Sequence, residues 1–234
     1  MVLTPTKATA KAQPQAEPNS FYHSPVGKKI LTGVTGLGLI TFVIGHLLGN
    51  LTLFFSPTAY NRLARFIDGL GPLLYLVEFG LLAMVSVHAA IGISIYLGKR
   101  RARLVQYAEY ESAGEPSRQT IASRTMLFSG LLLASFLIWH LATFKFGPVY
   151  RLPRSTDRDL ARLVFETFRQ PGYTAGYVVI LSLLGLHLRH GLWSALQSLG
   201  VATKPSVVMV SSVFGSAIAL GFIGLPLAIY FGAL

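Results

Sequence analysis

A chain of 234 residues that is 52% hydrophobic and only 12% charged, with a mean hydropathy of +0.55, lacks the charged quarter typical of a water-soluble globule. Its length holds about five membrane spans of about 20 apolar residues each, which leaves no room for a separate soluble catalytic domain. Absence of cysteine excludes disulfides, iron–sulfur ligation and covalent haem attachment, so any redox cofactor falls to histidine or methionine. The net charge of +11 comes from 20 Lys and Arg residues set mostly between apolar stretches, as membrane anchors are, and not clustered as in a nucleic-acid-binding surface.

Residues 1–20, rich in Pro, Ala, Thr and Gln with no apolar run, are expected to form a disordered tail. Residues 21–234 are expected to form an all-α domain of five transmembrane helices, at about 30–55, 73–98, 125–147, 173–199 and 206–232. Five spans place the termini on opposite sides. Lys28, Lys29, Lys99, Arg100, Arg101, Arg103, Arg118, Arg124 and Lys204 then share one side, which the positive-inside rule makes cytoplasmic, with the C-terminus outside. Arg151, Arg154, Arg158, Arg162 and Arg169 weigh against that orientation.

Two short amphipathic segments lie between spans. Leu63, Phe66 and Ile67 oppose Asn61, Arg62 and Arg65, and Leu160, Leu163, Val164 and Phe168 oppose Arg158, Asp159, Arg162 and Glu166. Both read as surface helices packed as lids over the outer end, the second capped by Thr156 and ended by Pro171 and Gly172.

His46, His88, His140, His187 and His190 lie within apolar windows, where ionisable side chains are rare and mark function. Depth sorts them into pairs. His46 follows Lys29 by 17 residues and His140 follows Arg124 by 16; from the other face, His88 follows Pro72 by 16 and His187 follows Pro171 by 16. This predicts an outer pair, His46 with His140, and an inner pair, His88 with His187, offset by about 10 Å along the membrane normal. Each pair can hold a six-coordinate haem iron through Nε2, and without cysteine both haems are b-type. Gly92 and Gly191, one turn beyond His88 and His187, would leave space beside the porphyrin. His190 lies about 4.5 Å nearer the inner surface than His88. It is assigned with Arg189 to a supporting or propionate-binding role, and His23 reads as an interfacial residue. No span carries two histidines 13 or 14 residues apart, the arrangement of cytochrome b in quinol-oxidising complexes, and haem-copper oxidases would need adjacent histidines and more spans.

The stretches SPVGKKILTGVTGLGLITFVIGHLLGNL, VHAAIG, LIWHLA and GLHLRHGLWSALQSLG resemble the diheme cytochrome b membrane anchor of the succinate dehydrogenase/fumarate reductase family, respiratory complex II with one large five-helix anchor. The resemblance covers residues 21–234 and implies the same histidine pairing. It also implies flavoprotein and iron–sulfur partner subunits on the cytoplasmic side, a location in the cytoplasmic (inner) membrane, and a quinone, expected to be menaquinone, as exchangeable substrate. Some fumarate reductases of this type place a glutamate two residues before the span-four ligand, where this chain has Gly185. Glu78, the one carboxylate inside a span, with Tyr75 beside it, marks a candidate outer quinone site, and Ser24, Lys28 and Lys29 mark an inner alternative. A haem-free reading also exists, a proton-coupled transporter with a histidine relay. A purely structural anchor would leave the membrane histidines unexplained.

Overall fold

The computed structural model describes residues 24–101, 125–200 and 205–234. His23, the expected tail and the basic residues Arg103, Arg118, Arg124 and Lys204 lie outside these. The described chain is all-helical, with α1 (Pro25–Leu51), α2 (Pro57–Asp68), α3 (Pro72–Arg101), α4 (Met126–Phe144), α5 (Leu160–Phe168), α6 (Pro171–Ser198) and α7 (Pro205–Tyr230). Five of these, α1, α3, α4, α6 and α7, are long and apolar enough to cross a membrane.

Local chemistry explains where these helices start. Pro25, Pro57, Pro72, Pro171 and Pro205 each open a helix, where the missing N–H costs nothing and the fixed φ suits the first turn. The Ser24 hydroxyl accepts from the Gly27 N–H at 2.9 Å, and Ser56 does the same for Ala59 at 3.0 Å, each satisfying an orphan donor. Pro226 stands inside α7 and is fully buried, as a membrane helix tolerates when neighbours pack around it.

The long helices alternate in direction. The basal end of the bundle is where α1, α4 and α7 begin. The capped end carries α2, α5 and the 3-10 turn Thr52–Phe54. The closest helix crossing is α6 on α7. A Cβ at Gly185 would stand 2.8 Å from the Ala219 methyl and 3.0 Å from the Gly215 carbonyl oxygen, so only small residues allow the backbones this approach. Ile40, Leu47, Leu188 and Ile218 form the mid-membrane core, and a second cluster built on Leu53, Val164, Phe168, Tyr177 and Leu225 closes the capped end. By contrast, α3 buries none of its residues. Leu76, Phe79 and Leu82 are more than half exposed, an arrangement suited to a lipid solvent, where apolar exposure carries no penalty.

The lids depart from the sequence expectation. Helix α5 packs Ala161, Leu163, Val164 and Phe168 into the bundle, as a lid should, but its cap is Asp159 and not Thr156: Asp159 Oδ1 accepts from the Arg162 N–H at 3.1 Å. On α2 one residue of the expected polar face, Asn61, turns inward, while Arg62 and Arg65 stay exposed. Asn61 is buried, donating to Asp159 Oδ1 at 2.8 Å and accepting from the Ala161 N–H at 2.9 Å, whereas Phe66 is 67% exposed. One amide that satisfies both the cap of α5 and its first free N–H outweighs burial of a phenyl ring that lipid can cover. Arg65 adds a 2.6 Å ion pair with Asp157. That hydrogen bond, helped by the Ser155 hydroxyl, holds the Asp157 carboxyl below its ordinary range. Burial pushes the Tyr60 phenol up to about 12, with the Arg158 charge acting in the opposite direction.

Candidate functional site

Helices α1, α3, α4 and α6 enclose a cavity of about 2400 Å³, more than twice the upper end of the usual pocket range of about 300–1,000 Å³. His46, His88, His140, His187 and His190 all line it.

Toward the capped end, His46 on α1 meets His140 on α4 edge to face, with ring centroids 5.7 Å apart and planes at 89°. Phe42 lies one turn before His46 and stacks on it at 5.5 Å. The Nδ1 of His140 is 3.1 Å from the Tyr177 hydroxyl of α6, so its Nε2 is the nitrogen left to face a ligand. Toward the basal end, His88 on α3 and His187 on α6 both line the cavity. The Nδ1 of His88 is 3.2 Å from Thr35 Oγ1, and the Nδ1 of His187 is 3.0 Å from Ser129 Oγ.

Thr35 Oγ1 is also 2.7 Å from the Leu31 carbonyl, and Ser129 Oγ 3.2 Å from the Met126 carbonyl. A hydroxyl that gives its one proton to its own helix accepts from the histidine; in that tautomer His88 and His187 donate from Nδ1–H and leave Nε2 with a bare lone pair. This is the arrangement by which an outer partner orients a metal-binding imidazole and raises its basicity.

Register measures the separation between the two pairs. The basal pair sits beside Thr35 and Gly36 on α1, Ser129 and Gly130 on α4, and His187 itself on α6. The capped-end pair sits at His46, at His140 and beside Tyr177 on the same three helices. Each helix gives ten or eleven residues, or about 15 Å. The sequence count gave about 10 Å because it assumed that all helices start at equal depth. Eleven residues is about three turns, so on α1 and α4 the hydroxyl and the histidine share one face, while the ten residues between Tyr177 and His187 on α6 leave them about a quarter turn apart. Helix α3 has Val77 and Glu78 at the equivalent positions.

The remaining predicted residues divide. Gly92 and Gly191 line the cavity, and a Cβ on either would meet nothing within 4 Å. The glycines held against the imidazoles are others: a Cβ at Gly36 would lie 3.2 Å from His88 Cε1 and one at Gly130 3.5 Å from His187 Cε1. His190 lies one turn basal of His187 and packs on Trp193 at 5.5 Å. Arg189 is exposed, away from the cavity wall, with its backbone against Gly215. Glu78 and Tyr75 border the cavity near the capped end, where Glu78 forms an ion pair with Lys145, a partner that sequence reasoning did not supply. Ser24 is spent on capping α1. Lys28 and Lys29 part company: Lys29 lines the cavity with Lys99 and Arg100, while Lys28 reaches across to α3.

No protein-family model, curated protein or solved structure matches this chain.

Proposed function

We propose that this chain is a diheme cytochrome b membrane anchor of the succinate dehydrogenase/fumarate reductase type, carrying electrons between an iron–sulfur subunit and membrane quinone. The observation that supports it most is the pair of imidazole couples, about three turns apart, lining one shared cavity, with Nδ1 of His88, His140 and His187 each within hydrogen-bond distance of a hydroxyl. A structural zinc ion takes four protein ligands and a catalytic one three, and each couple offers two. A porphyrin iron, already filled by four ring nitrogens, takes the two that each couple supplies. Holding an iron would set the Nε2 atoms about 4 Å apart, twice a metal–imidazole bond of about 2.0–2.1 Å, and the ring centroids somewhat farther apart than their present 5.7 Å.

His88 and His187 would hold one haem b, and His46 and His140 the other. When bound, haem supplies one-electron exchange between ferric and ferrous iron. The chain's own contribution is orientation and exclusion of water. Thr35 and Ser129 orient the basal imidazoles, Tyr177 steadies His140, and Phe42 flanks His46. Lys29, Lys99 and Arg100 give the basal mouth a positive lining. We place the iron–sulfur partner and the cytoplasm at that end, and dicarboxylate chemistry in the partner subunits. Quinone exchange, with menaquinone as the quinone, is assigned near Glu78, Tyr75 and Lys145. The crowding of Gly185 against α7 bears on proton movement, since a glutamate there would have no room. Compensating proton transfer at that position does not belong to this chain's mechanism, and succinate oxidation is the favoured direction.

Single-histidine variants test the pairing. His88→Ala and His187→Ala should each remove the same low-spin haem signal, and His46→Ala and His140→Ala the other. Loss of both signals in every folded variant, or of neither, would overturn the proposal.

A further inference from the structure

At the basal end, a second cleft of about 350 Å³ opens between α1 and α3, on the side of α3 away from the histidines, lined by Lys28, Ile93, Ser94, Leu97, Gly98 and Arg101. We propose that this cleft binds the phosphate headgroup of an anionic phospholipid.

Charge is the first argument. Lys28 Nζ donates to Ser94 Oγ at 2.9 Å. That partner is neutral, so the ammonium keeps its full charge, and its two further N–H groups can serve another acceptor. Arg101 adds a guanidinium at the end of α3. Among the described residues the carboxylates are Asp68, Glu78, Asp157, Asp159 and Glu166, all in the capped half of the molecule. Among the described residues, the ion pairs there, Arg65 with Asp157, Lys145 with Glu78 and Arg162 with Glu166, have no counterpart at Lys28 and Arg101.

Depth is the second. Tyr75, at the opposite end of α3, precedes Ser94 by 19 residues, or about 29 Å of helix, close to the roughly 30 Å hydrocarbon thickness of a bilayer. Lys28 and Ser94 therefore fall where the hydrocarbon ends and phosphate begins, and Arg101 stands in the headgroup layer beyond. Shape is the third. Ala90, one turn deeper than Ser94, and Ile93 at its level supply an apolar wall, fitting an acyl chain that continues down the lipid-facing surface of α3. Basic pockets between membrane helices recognise lipid headgroups in this way. The proposal does not depend on the haem reading.

The test titrates the purified full-length protein in detergent with phosphatidylglycerol, phosphatidylcholine or inorganic phosphate. Bound lipid is counted by native mass spectrometry and the thermal midpoint is followed. Phosphatidylglycerol should bind and protect. Lys28→Gln or Arg101→Gln should weaken its binding about fivefold each, and the double variant about 25-fold, from roughly 1 kcal/mol per basic residue near an anionic surface. Ser94→Ala and the capped-end control Arg62→Gln should retain it. Equal binding of phosphatidylcholine, equal protection by inorganic phosphate, or affinity unchanged in the double variant would overturn the proposal. So would Ser94→Ala losing as much as Lys28→Gln, which would mark a simple α1–α3 clamp. Should Lys28→Gln fail to fold, Arg101→Gln, at the helix end, carries the test alone.

Discussion

Thr35→Val keeps the shape of its side chain but removes the hydroxyl that receives His88 Nδ1–H at 3.2 Å. With that hydroxyl as the acceptor, its loss withdraws electron density from the imidazole and makes Nε2 a weaker donor to ferric iron. A net hydrogen bond is worth about 0.5–1.5 kcal/mol. If all of it acts on the oxidised state, the basal haem potential rises by about 20–65 mV, at 59 mV for each tenfold change in a one-electron couple. Ser129→Ala removes the matching acceptor from His187 at 3.0 Å and should raise the same potential by a similar amount. The double variant should show approximately the sum, since the two hydroxyls touch opposite ligands. The assay is an optical redox titration in which the two haems are resolved as separate waves. If the variants moved different waves, the pairing of His88 with His187 would fall. If neither moved any wave, or the potential dropped, the tautomer argument would fall.

Other substitutions test the scaffold. Gly185→Ala drives a methyl to 2.8 Å from Ala219 Cβ and should cost about 1–3 kcal/mol by overpacking, read as a lower thermal midpoint in detergent. An unchanged midpoint would mean that the α6–α7 crossing is looser than described. Asn61→Leu strips the Ala161 N–H and Asp159 of their shared partner and should cost about 1–3 kcal/mol, with hydrogen exchange accelerating first in α5. The Asp157 carboxyl is depressed in the folded state by Arg65, so its contribution is present above the ordinary carboxylate value and is lost as pH falls through the folded one. Exchange around residues 150–160 should therefore quicken in acid, and Arg65→Gln should flatten that pH dependence; an equally steep profile in the variant would exclude the Arg65 contact as its cause.

Much of this molecule is legible in sequence because lipid imposes a simple rule. A span must be long, apolar and helical, so the five helices are readable from composition, and a histidine inside one stands out. Depth counting also brings His46 to His140. It understates the separation of the two pairs because helix starts differ in height, and no residue type marks that height. The Nδ1 partners leave a fainter trace. Thr35 and Ser129 precede His46 and His140 by 11 residues each, a three-turn spacing that could have shown a hydroxyl on the histidine face of α1 and α4. Which histidine each hydroxyl serves depends on the neighbouring helix. Asn61 and Phe66 were misplaced because amphipathic patterning assumes water outside. Beside a membrane, an exposed phenyl is cheap and an unsatisfied helix end is not. Glu78 showed itself as an intramembrane carboxylate, but its partner Lys145 sits 67 residues away, and only the packing of α4 beside α3 joins them.

The central claim is that four imidazoles hold two porphyrins. Its most direct test is pyridine haemochrome quantitation of the purified full-length protein, together with a reduced-minus-oxidised spectrum. Two b-type haems per chain is the predicted result, with sharp low-spin bands on reduction. Colourless protein, or one haem per folded chain, would contradict it.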